Sequence, residues 1–278
     1  MGDTRTVLVT GSTDGIGKET ALALARKGCR VIVHGRSRAK VDAAIASLRQ
    51  ALGEGHGQAR LEGWACDLSS LAEVRAKSRE LLALAPRLDV FLHNAGVYAR
   101  ERTVTPEGFE LTFAVSHLAP FILVQQLLPA LAAAAPARVV MVSSQVHRGA
   151  QLHLDDLNLS RGFSGYAAYG QSKLCNVLFA NGLAARYPAH QLTANSLHPG
   201  VVGTKLLTQG FGMRGGPDSL AEGAETSVYL ATSPEVANVT GKYFDRCREV
   251  RASEEARDEA LREALWKKSE ELTGAHYA

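Results

Sequence analysis

The segment Thr10-Gly11-Ser-Thr-Asp-Gly15-Ile-Gly17 limits what this chain can fold into more than any other. It joins the apolar run Thr6-Val-Leu-Val-Thr10 to a helical pattern over residues 15–27. Glycines at these positions permit a tight turn and let other groups approach the bare backbone closely. A helix that starts here leaves its first N–H groups unpaired and points the positive end of its dipole at the turn, a setting suited to an anion. The pattern predicts strand, turn and helix in succession, the opening unit of a parallel sheet.

The rest of the chain repeats that alternation. Short apolar runs at 6–10, 30–34, 61–66, 90–93, 138–143 and 192–197, with a weaker one at 242–245, read as strands. Several are apolar at nearly every residue, as strands covered on both faces must be. Helical composition and periodicity fill 15–27, 40–52, 70–85, 109–134, 169–187 and 220–232, with Pro120 and Pro129 dividing or kinking the fourth segment. The expected fold class is α/β, a single Rossmann-type doubly wound parallel sheet of about seven strands with helices on both faces, in one domain over 1–278. Two stretches, 147–166 and the glycine-rich 201–219, read as substrate loops. Residues 253–273 form a charged C-terminal helix whose buried face is Leu261, Leu265 and Trp266.

Composition removes several function classes. An apolar fraction of 46% in 278 residues supports a large core, and a formal charge of +3 with interspersed signs offers no surface for nucleic acid. Four scattered cysteines and nine scattered histidines form no metal-ligand spacing, so no metal is expected, and the thiols read as reduced and buried. The start of the chain is too short and too acidic for a signal peptide. The apolar stretch 118–135 is interrupted by Pro120, Gln125, Gln126 and Pro129, and reads as a buried helix. A soluble, cytoplasmic protein without a membrane anchor is expected. The apolar segments 109–134 and 169–187 could pair with a second copy, as a homodimer or homotetramer.

The glycine turn, in this position, is expected to hold the pyrophosphate of a dinucleotide through Gly11, Ser12, Thr13, Gly15, Ile16 and Gly17. An acid about twenty residues on would hold a free ribose 2′-hydroxyl, but the second strand runs into His34-Gly35-Arg36-Ser37-Arg38. Arg36 can pair with a 2′-phosphate, which favours NADP(H) over NAD(H). Asp67, followed by Leu68, ends the third strand where a carboxylate can accept from an adenine amino group. Asn94-Ala95-Gly96 ends the fourth, where small residues let the backbone lie against a ribose. Both sit at C-terminal strand ends, the side on which such sheets bind ligands.

Ser144 ends the fifth apolar run, and Tyr169-Gly-Gln-Ser-Lys173 sets a phenol and an ammonium one helical turn apart. Hydride transfer to a ketone or aldehyde creates alkoxide character that a proton must quench. A phenol of pKa ~10 does this poorly near neutrality, and an adjacent ammonium is expected to lower that pKa. Ser144 can hydrogen-bond the substrate oxygen, and Lys173 can also reach the ribose hydroxyls. Tyr166 lacks the cation, since Gly170 stands four residues after it.

Taken in order, Thr10-Gly11-x-x-x-Gly15-x-Gly17, Asp67, Asn94-Ala95-Gly96, Ser144, Tyr169-x-x-x-Lys173 and Pro199-Gly200-x-x-x-Thr204 resemble the short-chain dehydrogenase/reductase family. A narrower likeness, to its retinol-dehydrogenase-like branch, rests on Gly15-Ile-Gly-Lys-Glu-Thr20, Asp155-Asp-Leu-Asn158, Ala168-Tyr169-Gly-Gln-Ser-Lys-Leu-Cys-Asn-Val-Leu-Phe179, His198-Pro-Gly-Val-Val202 and Thr240-Gly-Lys-Tyr-Phe244. The resemblance implies that Pro199 and Gly200 turn the chain towards the cofactor and that Val201 and Thr204 contact the nicotinamide carboxamide. It also implies an Asn where Ser116 stands, an Asn associated with a helix distortion whose carbonyl holds a water near the lysine. Ser116 is thus a departure that alters or slows the proton relay. The reading is an NADP(H)-dependent oxidoreductase interconverting a carbonyl and an alcohol on a small to medium apolar molecule. Alternatives are an NADP-binding sensor with decayed catalysis, or a reductase of an activated C=C bond.

Overall fold

Aliphatic and β-branched runs become the strands because both of their faces are covered. In the computed structural model, which describes residues 4–53 and 60–277, seven of them lie parallel. They are β1 (Thr6–Val9), β2 (Arg30–Gly35), β3 (Leu61–Ala65), β4 (Val90–His93), β5 (Ala137–Val142), β6 (Leu192–His198) and β7 (Tyr243–Asp245). The start of the chain, read above against a signal peptide, falls partly on residues 1–3, outside those described. An eighth strand, β8 (Arg248–Val250), folds back antiparallel on β7 at the edge. Nothing in the residue pattern announces it, since Arg-Glu-Val has no alternation to read. Its two-residue connection, Arg246-Cys247, takes positive φ angles of 48° and 60° without the Asn or Gly that usually marks such a turn.

The helices are α1 (Gly15–Arg26), α2 (Arg38–Leu52), α3 (Leu71–Leu84), α4 (Leu111–Phe113), α5 (Ala119–Ala132), α6 (Gly165–Arg186), α7 (Leu220–Thr232) and α8 (Glu259–Thr273). Alternation along β1 sorts them into two layers. Val7 and Val9 join the core under α1, α2 and α7, and Leu8 joins the core under α3, α5, α6 and α8. Each such aliphatic side chain contributes about 1.5–3 kcal/mol by leaving water.

The sheet runs β3-β2-β1-β4-β5-β6-β7-β8, so successive connections leave β1 in opposite directions. That reversal opens a crevice beyond the C-terminal ends of β1 and β4, where the glycine turn and Asn94 both emerge.

Three elements differ from their expected form. α8 begins at Glu259 and not at 253, because Asp258 caps it, accepting from the Leu261 N–H, and Glu255–Arg257 forms a separate 3-10 turn before it. α6 starts one turn before residue 169 because Ser164 caps it, accepting from the Ala167 N–H. The fourth helical segment does break near Pro120, and α4 and α5 are joined by a π-turn, Ala114–Leu118. Proline brings no N–H to the carbonyl four residues back, which is that of Ser116, and the helix widens there. Pro129, in contrast, is absorbed inside α5.

The stretch Leu111–Ala132 has the length and apolarity of a membrane span, yet it is largely buried in the core. Trp266 of α8 meets Phe121 of α5 (5.2 Å) and Phe179 of α6 (5.7 Å), and Tyr277 donates to the Phe121 carbonyl. Phe121 and Phe179, on the two helices expected to pair with a second copy, are thus packed against this chain's own C-terminal segment.

Candidate active site

The glycine turn is fixed by its neighbours before any ligand is considered. Gly11 and Gly15 adopt φ of 65° and 57°, where a side chain would be strained. A Cβ on Gly17 would come within 2.3 Å of the Asn94 amide, and one on Gly11 within 2.8 Å of Ala95 Cα. The turn thus lies directly against the end of β4. Asn94 donates to the carbonyls of Thr10 and Gly11, each at 3.1 Å. Ile16 and Gly17 occupy the first turn of α1, where backbone N–H groups have no acceptor within the helix.

His34 completes this arrangement, and sequence reasoning missed it. Its Nδ1 accepts from the Gly11 N–H at 2.9 Å, and its Nε2–H donates to the Cys66 carbonyl at 3.0 Å. Burial brings its pKa down to about 4, so the ring is neutral and can do both. A histidine ending an apolar strand carries no local sign of such partners. On the next turn Arg38 pairs with Asp42 at 2.8 Å, whereas Arg36 is exposed and makes no hydrogen bond or ion pair among the described residues. Asp67 follows β3 as expected, but its Oδ1 already accepts from the Ser69 N–H and hydroxyl. The Leu68 side chain is in the core, so only its backbone faces a ligand.

Thr10 and His93 tie this half of the crevice to the other. The Thr10 hydroxyl accepts from the N–H groups of Asn94 and Ala95, so its proton goes to His93 Nδ1, 3.0 Å away. His93 Nε2 then faces the Ser116 backbone carbonyl without closing a well-aligned bond. Burial, with the Lys173 charge second, holds His93 neutral.

Ser144, Tyr169 and Lys173 come together at the C-terminal end of β5. Tyr169 is buried, with the Ser144 hydroxyl beside its phenol. Lys173 Nζ lies 5.4 Å from the Tyr169 ring centroid and donates to the Val142 carbonyl at 3.0 Å. Burial pushes the phenol pKa up, and the Ser144 hydrogen bond offsets only part of that rise. The same burial brings Lys173 down to about 8. The expected lowering of the phenol pKa by the ammonium is therefore absent in the protein itself, because Nζ is aimed at a backbone carbonyl and desolvation dominates.

Ser116 sits in the π-turn, its Oγ buried without a partner. A Cβ on Gly96 would lie 3.3 Å from Lys173 Nζ and 3.9 Å from Ser116 Oγ, so Gly96 keeps open the space beside both. The distortion expected from Asn is present with Ser, through Pro120.

The loop after β6 closes over this end. Gly200 takes φ of 88°, which brings the Asp218 carboxylate onto the Val201 N–H at 2.7 Å. The Val201 carbonyl accepts from the Asp218 N–H. Both backbone groups of Val201 are thus engaged within the loop rather than presented to the crevice. Thr204 Oγ1 caps the following turn, accepting from the Leu207 N–H, while its methyl lies against Gly15. Lys205 pairs with Asp14 at the start of α1. Phe211 packs edge-on to Tyr169 (5.3 Å) and against Tyr98 (4.5 Å), while Tyr166 approaches at 6.3 Å. Tyr98 and Phe211 carried no motif, so the aromatic wall could not be read from sequence.

A family model described as short chain dehydrogenase matches residues 5–213. Retinol dehydrogenase 14 of Mus musculus is 39% identical over 287 residues, covering 97% of this chain and 86% of the mouse protein. The chain belongs to the short-chain dehydrogenase/reductase family. Within that family it falls in the retinol-dehydrogenase-like branch. Among solved structures, a Mycobacterium paratuberculosis protein is similar with a TM-score of 0.81 and 32% identity, over 99% of this chain and 95% of that one. A protein from Escherichia coli CFT073, complexed with NADPH, gives a TM-score of 0.70 at 26% identity, over 88% of this chain and 97% of that one. As a short-chain oxidoreductase, the chain uses a nicotinamide cofactor and interconverts carbonyls and alcohols.

Proposed function

We propose that this oxidoreductase is NADP(H)-dependent, with Tyr169 as proton donor and acceptor, Ser144 as holder of the substrate oxygen, and Lys173 as the cation of the site. The observation that carries this reading is the buried Tyr169 phenol with Ser144 and Lys173 both beside it. Its protonation state suits reduction: burial keeps the phenol protonated, and a lysine near 8 is mostly charged at neutral pH. Ser144 can donate to a substrate carbonyl oxygen, while Tyr169 gives that oxygen its proton.

The residues fit the cofactor. Gly96 leaves room beside Lys173 Nζ, Ser116 Oγ is an orphaned buried hydroxyl at that spot, and the glycine turn presents the first N–H groups of α1. Bound NADPH supplies the hydride. Arg36, exposed and uncommitted, is the group for the 2′-phosphate, and no carboxylate stands there to repel it. The Ser116 carbonyl, left without a helical donor by Pro120 and faced by His93 Nε2 without a well-aligned bond, has a lone pair for a water that passes protons to Lys173.

The wall of Tyr98, Tyr166 and Phe211 around Tyr169 supports a small to medium apolar substrate, taken by a single domain spanning 1–278. Four free thiols support a reducing, cytoplasmic location. A panel of aldehydes and ketones, with a retinoid included because relatives carry that name, tests the reading. NADPH should be consumed with formation of the matching alcohol, and NADH should serve far less well. Tight NADPH binding without turnover of any member would replace it with the sensor reading, and saturation of a C=C bond with the carbonyl untouched would replace it with the third.

A further inference from the structure

His147 is buried three residues beyond Ser144, outside the groups the reaction uses, and both of its ring nitrogens are committed. Nδ1–H donates to the Ser144 carbonyl at 2.7 Å, and the His147 backbone N–H donates to the same oxygen at 3.2 Å. Nε2 accepts from the Ser253 N–H at 3.2 Å. Because both partners are backbone groups of fixed sense, the ring is held as the neutral Nδ1–H tautomer. The Tyr243 ring lies against it at 4.6 Å, and burial holds the imidazole pKa down despite Glu255 nearby, with Arg148 and His198 adding to the lowering.

We propose that His147 is the positioning residue of Ser144, a peg whose Nδ1–H holds the carbonyl of the serine's peptide plane while its ring is seated against the C-terminal segment at Ser253. The consequence is geometric. The Ser144 hydroxyl lies beside Tyr169 and accepts weakly from the Val146 N–H at 3.4 Å. Its aim is therefore set by the backbone that carries it, and that backbone is anchored at its carbonyl. Arg148, which donates to the Arg251 carbonyl at 2.6 Å, fastens the same turn to the same segment from outside. Without the ring, Ser144 keeps one donor of two and the Ser253 N–H is left buried without an acceptor. Misplacement of a reacting group by about 1 Å is enough to cost ~100-fold in rate.

The proposal rests on Ser144 and Tyr169 acting as described above. Two replacements separate positioning from packing. In His147→Asn the side-chain amide overlays the Nδ1–H donor but loses ring volume, whereas His147→Phe keeps the volume and loses both bonds. Carbonyl reduction, NADPH affinity and melting temperature are measured for both, alone and in a Ser144→Ala background, with Tyr169→Phe alongside. His147→Phe should lower kcat about tenfold or more with NADPH affinity within about twofold, His147→Asn should stay within about threefold of wild type, and His147→Phe should add less than about twofold once Ser144 is Ala. Phe as active as Asn, or a His147→Phe loss that multiplies fully with Ser144→Ala, would overturn the positioning role while leaving the site intact. Turnover that survives Tyr169→Phe would overturn the site reading and the positioning role with it.

Discussion

Burial acts on Tyr169 and Lys173 in the same physical sense, favouring the neutral form of each, yet with opposite consequences for the reaction. It raises the phenol pKa and keeps the proton that reduction needs, and it lowers Lys173 to about 8, removing charge as pH rises. Lys173 is charged below that value and neutral above it. If the ammonium is required, kcat/KM for carbonyl reduction should be flat below pH 8 and fall about tenfold per pH unit above it. His34 is neutral above about 4 and should add no inflection in between. A pH–rate profile that stays flat through pH 9 would contradict this. At the cofactor end, Arg36→Ala should weaken NADPH binding by about 10- to 100-fold, the worth of a charge-assisted phosphate contact, and NADH binding by less than about threefold. Equal losses by titration would remove Arg36 from the site. The residue types of the site were legible, since spacing and strand ends point to Tyr169, Lys173, Ser144 and the glycines. Their electrostatics were not, because desolvation depends on what the rest of the fold places around them.

Among the elements, the π-turn shows why a motif can mislead when it is read one residue at a time. Ser116 departs from the expected Asn, yet the helix distortion is present and coincides with Pro120, four residues later, a signal present in the sequence. Pro120→Ala would return an N–H donor to Ser116. It should melt at or above the wild-type temperature, since an interior proline costs a helix up to ~3 kcal/mol. It should also reduce turnover about tenfold. Unchanged kcat would separate the π-turn from the chemistry. Apart from the start of α8, strands and helices were legible to within about a turn because their periods are carried by core residues. β8 was not, being three residues long with an unmarked turn, and the path of the loop over Tyr169 depends on long-range contacts such as Asp218 with Val201. Phe211 on that loop presses on Tyr169, so Phe211→Ala should raise the KM of apolar carbonyls more than it changes NADPH affinity.

For the molecule as a whole, the covering of α5 and α6 by α8 is the feature least visible in advance. Apolar helices read equally well as an interface or as core, and the packing of Trp266 against Phe121 and Phe179 puts those two side chains in the core. Trp266 also lies under the Arg186 guanidinium, 3.8 Å from the ring centre, and blocks any side chain at Gly182. Trp266→Ala should cost about 3–5 kcal/mol, a fall in melting temperature of roughly 10 °C for a chain of this size. A change below about 2 °C by calorimetry would show that α8 is dispensable to the core. The order of motifs along the chain did foretell the crevice, because a doubly wound sheet brings successive C-terminal strand ends to one side.

The central claim is that the Tyr169 hydroxyl delivers the proton in a site otherwise competent to bind NADPH. The most direct measurement is kcat for carbonyl reduction by Tyr169→Phe, taken with its NADPH dissociation constant. Removal of one oxygen atom should lower kcat by at least about 100-fold, the range of general acid catalysis, with NADPH binding within about threefold of wild type. Turnover within a few-fold of wild type, at unchanged NADPH affinity, would contradict the account.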